Sequence, residues 1–149
     1  MPDKFHPVLV SKAGDRESAV ENLIRSGDLE GFRLALKTMP NLLNEQLGAC
    51  GWALLHFLSS LGLETKAVHA TMAEDILKAG ADVNCRTVLG WTPIHMIAMQ
   101  GQKEACQLAQ LLIAHGADLT ALDNSGMDWR MHWQHGTEIR RVLETASIR

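Results

Sequence analysis

Tyrosine is absent from this chain of 149 residues, phenylalanine occurs only three times, and aromatic residues make up 5%. Strands built on alternating aromatic and β-branched residues therefore find little material. Cysteine is scarce as well. Cys50, Cys85 and Cys106 are odd in number, far apart and form no Cys-x-x-Cys pair, so neither a disulfide framework nor a zinc ribbon is suggested. Positive charge is not in surplus. A formal net charge of −3 provides no overall basic field to draw the chain to nucleic acid or anionic lipid. Long apolar runs are missing: Val8-Leu9-Val10 is too short for a signal core, and nothing approaches the roughly 18–20 residues of a spanning helix. A cytoplasmic chain with reduced thiols and no membrane contact is expected. Gly-x-Ser-x-Gly, His-Glu-x-x-His, phosphate-loop and dinucleotide-glycine patterns do not occur, so neither enzyme activity nor a cofactor is expected.

What is present is ordinary for a globular chain: 46% apolar and 21% charged residues. The length suits one domain burying about 68–70% of its unfolded surface. Helical spacing is clear. In EACQLAQLLIAHG, Ala105, Leu108, Leu111 and Leu112 share a face, and Gly116 stands where a left-handed C-terminal cap belongs. MAEDILKAG ends the same way at Gly80.

Three segments align with one another. GWALLHFLSSLG (51–62) leads to ILKAGADVN (76–84), GWTPIHMIAMQG (90–101) to LLIAHGADLT (111–120), and GMDWRMHWQHG (126–136) to IRRVLE (139–144). An earlier stretch, residues 19–44, has the same shape, with Pro40-Asn41-Leu42-Leu43-Asn44 in place of the Gly-Ala-Asp turn. Four related units follow, at about 17–49, 50–85, 86–122 and 123–149, behind an N-terminal extension, 1–16.

Thr92-Pro93-Ile94-His95 with Ala98 is similar to the Thr-Pro-Leu-His-x-Ala signature of ankyrin repeats, whose period is about 33 residues. The physical reading agrees with the resemblance. Thr92 can cap a helix, Pro93 fits its first position without losing a bond, and Gly90 permits the turn before it. The resemblance implies an all-α solenoid of helix pairs joined by hairpin-like turns, with His56 and His95 as internal fasteners. Thr92, Pro93, His56, His95, Gly80 and Gly116 are then scaffold. The second unit has Ala53-Leu54 in place of Thr-Pro, and the fourth has Asp128-Trp129-Arg130-Met131, losing the fastener. His6, His69 and His115 show no partner in the sequence. The second unit is longer than the standard repeat, and residues 63–75 are expected to protrude as a second contact area.

The resemblance further implies a non-catalytic protein-binding module, monomeric, acting as inhibitor, adaptor or neutralising antidote. Trp52, Trp91 and Met127 occupy the finger slot between the turn glycine and the threonine position. There an indole either faces a partner or packs on the neighbouring finger, and the two roles are compatible. The concave side would add Arg25, Ser26, Ser60, Leu61, Met99 and Gln100, with Leu61 and Met99 exposed-looking and His135 a further member. This mostly uncharged set suits a protein better than a phosphate backbone. The competing reading is a single-stranded nucleic-acid binder using Arg130, His132, Trp133, Arg140, Arg141 and Arg149. A zinc site at His132 and His135, with Asp128 and Glu138 nearby, lacks enough close ligands and reads as a polar face.

Overall fold

Val20, Leu23 and Ile24 recur at the spacing that puts them on one helical face, and all three are buried. They belong to α1, Ala13–Ser26, the first element of a computed structural model that describes residues 13–100, 104–132 and 137–148. Asp28 accepts a bond from the Gly31 amide (2.9 Å) and so caps α2, Leu29–Thr38, which buries Phe32 and Ala35. A 3-10 turn, Pro40–Asn44, closes this first pair.

The second pair is α3, Leu54–Ser59, and α4, Ala67–Lys78, with a 3-10 turn Gly62–Glu64 between them. The third is α5, Pro93–Ile97, and α6, Glu104–Ala114. The last is α7, Trp129–His132, and α8, Thr137–Ser147. Among the described residues there is no strand, only an isolated bridge between Leu47 and Trp52.

The pairs stack in chain order as two layers. The first helices α1, α3, α5 and α7 pack successively on one another, and so do the second helices α2, α4, α6 and α8. Each pair buries its apolar face only against its neighbours, which is the energetics of a solenoid. The continuous core runs from Ile24 through Leu54, Leu58, Met72 and Ile76 to Ile94, Ile97, Leu108, Leu112, Ile139 and Leu143.

The second helices end alike. After α4, Gly80 (φ 102°) donates to Leu77 O and Ala81 to Ile76 O; after α6, Gly116 (φ 94°) and Ala117 repeat this on Ile113 and Leu112. A residue with a Cβ would strain at that φ, hence glycine.

The longer second unit does not protrude. Most of residues 63–75 form the start of α4, where His69, Met72 and Ala73 are wholly buried. The extra residues are spent on the 3-10 turn and on a helix whose inner face is core, not on a projecting feature.

Candidate functional site

Between successive pairs the chain makes three short hairpin-like fingers. In the first, Leu47 and Trp52 exchange backbone bonds of 2.8 and 3.1 Å. In the second, the Thr87 amide donates to Trp91 O (3.0 Å), and the Thr87 hydroxyl accepts from the amides of Leu89 and Trp91. In the third, the Asp123 amide donates to Met127 O (2.8 Å), and its carboxylate accepts from Ser125 and Met127.

Three ladders tie the fingers and turns together. Val88 donates its amide to Cys50 O, and Asn124 to Leu89 O, both at 3.0 Å. Gly90 must approach closely here: a Cβ would lie 2.8 Å from the Asn124 nitrogen. Side chains brace the same joints. Gln46 Nε2 bridges Gly51 O and Arg86 O, and Arg86 Nη1 bridges Gly90 O and Leu122 O. A third ladder runs along the turns, where Asn44 Oδ1 accepts from Asp82 and Asn84 Oδ1 from Asp118. Thr120 stands where the next asparagine would be, and its hydroxyl turns back onto Asp118. That bond holds the Asp118 carboxyl below its ordinary range.

Buried imidazoles fasten the helices to the fingers. His56 Nδ1 accepts the Ala53 amide (3.0 Å), so the proton sits on Nε2, which donates to Trp91 O at 2.8 Å. His95 does the same with Thr92 and Met127 O, and the Thr92 hydroxyl also meets Nδ1 at 2.9 Å. Ala53 has no side chain to reciprocate, so α3 keeps only this half of the capping arrangement. Burial keeps His56 neutral by pushing its pKa below the ordinary imidazole value.

His69 is a third fastener that the sequence reading left without a partner. Its Nδ1 accepts the Lys66 amide (2.9 Å) and its Nε2 donates to Ile24 O at 2.6 Å, tying α4 back to α1. The signal was present: His69 stands three residues after Lys66, as His56 does after Ala53 and His95 after Thr92. Cys85 lies with its sulfur 3.8 Å from His56 Nδ1, and burial, helped by Asp82, pushes its thiol up to about 12. It is no nucleophile at neutral pH.

The structure places the expected surface residues in two groups. Trp91 is half-buried, and its Nε1 donates to Asp123 Oδ2 of the next finger at 3.1 Å. Trp52, also half-buried, meets Phe57 edge-on with 5.3 Å between ring centroids. Arg25 is held by Glu21 and Glu64, which raise its pKa. Ser26, Ser60 and Gln100 spend hydrogen bonds on carbonyls of their own helices, and Met99 is half-buried. Leu61, expected to be exposed, is 6% exposed and folded into the core. Met127 is exposed, and the large apolar residues that join it on the fingers are Val88, Leu89 and Leu122. These three were missed because nothing in a finger sequence distinguishes a side chain that points outward from one that points back.

Residues 89–124 match the ankyrin repeat family. The chain thus carries an ankyrin repeat. The matched segment starts at the tip of the second finger, takes in the third repeat's α5 and α6, and ends in the third finger. Human protein phosphatase 1 regulatory subunit 27 is 31% identical over 103 residues, which is 69% of this chain and 60% of that protein. The chain thus spans about 60% of the length of this relative.

The basic tract at the end of the repeats is dispersed. Arg130 lies over the ring of Trp129 and beside Asp128, and Arg140 pairs with Glu144 at 2.7 Å. Arg141 faces a groove between α6 and α8. Trp133, His135, Arg149 and the side chain of His132 lie outside the described residues, as does His6. No helix among the described residues is long and apolar enough to cross a membrane.

Proposed function

We propose that this ankyrin-repeat chain is a non-catalytic module that binds another protein through its fingers, serving as an inhibitor, adaptor or neutralising antidote of that partner. The observation that carries this reading is the exposure of Val88, Leu89, Leu122 and Met127 on backbone held by three interlocking ladders. Apolar side chains on a pre-organised backbone bind with little ordering cost, and water gains from their burial. A relative whose name makes it a regulatory subunit of a phosphatase supports action through a bound enzyme. In this reading Trp52 and Trp91 set the finger positions from behind while presenting their open faces, and Arg25, Ser26, Ser60, Met99 and Gln100 form a polar flank.

The test is affinity capture from the native host's lysate with wild type and with Leu89→Lys/Met127→Lys, both checked for helicity by circular dichroism. A protein retained by the wild type and lost from the folded double variant is the expected result. Enrichment of nucleic acid alone would displace this reading in favour of the basic tract.

A further inference from the structure

Successive second helices are not joined alike. α2 and α4 are clasped by Arg33, whose guanidinium donates to both carboxylate oxygens of Asp75 at 2.6 and 3.3 Å. On α6 the corresponding surface carries no acid. Counted back from the closing glycines Gly80 and Gly116, Leu111 stands where α4 has Asp75, and Gln110 where it has Glu74. Between α6 and α8 an open trough of about 500 Å³ remains, its apolar lining supplied by Ile113, Ala114, Val142 and Ala146. Gln110, Arg141 and Thr145 rim it, and all three are exposed.

Arg141 carries an unmatched charge into this trough. Among the described residues it meets no carboxylate, whereas its neighbour Arg140 is paired with Glu144 at 2.7 Å. The trough continues past Arg141 toward Glu104 and Glu138. Its field thus changes sign within about one helical turn, which disfavours a uniformly charged ligand such as a phosphate chain. The walls offer few backbone groups, because those of α6 and α8 are spent along the helices. An extended segment laid there would bury its own amides unmet, whereas a helix arrives with them satisfied. α6 is 11 residues long, about 16 Å, which matches three turns of such a helix. A small amphiphile would stay largely wet in so open a trough.

We propose that the trough between α6 and α8 docks an amphipathic helix of a partner protein, which lays apolar side chains on Ile113 and Val142 and sets one carboxylate on Arg141. Charge complementarity argues for this occupant: Arg141 calls for an acid inside the apolar stripe, and Glu104 and Glu138 exclude further acids at that end. This is recognition of a helix by a groove, and it uses the second helices in place of the fingers. It is independent of the finger reading, since either surface can fail while the other stands.

The experiment uses the full chain and a phage-displayed library of helical peptides randomised along one face, with the strongest binder synthesised. The selected face is expected to hold one acidic residue within an apolar stripe, and amide shifts on binding to centre on residues 107–114 and 138–146. Arg141→Glu should weaken binding about tenfold, and exchanging the peptide's acid for lysine should restore it. Ala114→Trp, which fills the trough from an exposed position on the other helix, should weaken binding comparably and leave helicity unchanged. Shifts centred on the fingers overturn the site, and indifference to Arg141→Glu overturns the charge pairing. A central proline in the peptide that leaves affinity unchanged overturns the helix, and recovery of no binder overturns the proposal as a whole. Saturable shifts of the same amides by decanoate, with no peptide recovered, would make the occupant a free anionic amphiphile. Concentration-dependent self-association abolished by Arg141→Glu would make it a second copy, and either result overturns the partner helix.

Discussion

α5 and α7 stand at the same place in successive repeats, and opposite means hold them. α5 is polar at its start: Thr92 and His95 bond each other, and His95 reaches forward to Met127 O. α7 replaces that apparatus with Trp129, 1% exposed, its indole packed in the core and covered by Arg130 with 4.9 Å from guanidinium to ring. The difference teaches what a fastener needs. An imidazole held by the amide three residues before it has a second nitrogen to satisfy, and the carbonyl comes from the following finger for His56 and His95 and from Ile24 of the preceding pair for His69. No finger follows α7 among the described residues. The histidine position of this unit is Met131, which is exposed, and the buried Trp129 leaves its indole N–H without a partner among the described residues, so its contribution is the apolar area it covers.

The comparison can be broken at either side. Removing the indole should cost most: Trp129→Ala is expected to lower stability by about 3–5 kcal/mol, read by urea denaturation. A loss under about 1 kcal/mol would show that α7 contributes little to the stack. His95→Ala should cost about 2–4 kcal/mol, since it leaves the Thr92 amide and Met127 carbonyl unpaired and opens a cavity. His95→Phe is the sharper version, filling the space without restoring the bonds, and should recover less than half of that loss.

Acid acts more gently on the same kind of bond. Burial holds His56 below its ordinary value of 6.5, so the unfolded chain binds more protons than the folded one in the interval between the two values. Its contribution is complete above pH 6.5 and drains as pH falls toward the folded value. Denaturant midpoints should therefore fall from pH 7.5 to pH 5.5, and a His56→Gln variant, weaker at pH 7.5, should show a shallower fall. An unchanged slope in the variant would assign the pH dependence to other groups. The smallest effect concerns Ser59, whose buried hydroxyl finds no hydrogen-bond partner among the described residues. Ser59→Ala should be neutral or stabilising by up to about 1 kcal/mol, and a clear destabilisation would reveal a partner or water for that hydroxyl.

Much of the fold was legible because repeats spell out local chemistry. Thr92-Pro93 opens a helix, Gly80 and Gly116 close theirs, and their recurrence announces a stack of similar units. The recurrence of His56 and His95 was likewise readable. What the chain hid were bonds between units whose donors and acceptors are ordinary residues. Asn44, Asn84, Gln46 and Arg86 look like solvated turn residues until neighbouring turns are brought within 3 Å or so. His69 escaped because its repeat partner lies in a different helix. Leu61 was misplaced for a related reason: a residue just before a turn glycine was expected to face outward, but the 3-10 turn that follows folds it into the core. The candidate surface was less legible than the fold, since outward-facing finger residues are subject to no packing pattern.

Among the described residues the most distant partners joined by a side-chain hydrogen bond are His69 and Ile24, 45 positions apart. Every fastening bond reaches only an adjacent repeat, so the chain never needs to close a long loop. Ordering can then start in whichever neighbouring pair is locally strongest and spread outward, with a modest entropy of closure at each step. The same locality grades the native state: amide hydrogens in α3 and α5, flanked on both sides, should exchange most slowly with solvent water, and those of the outermost helices first.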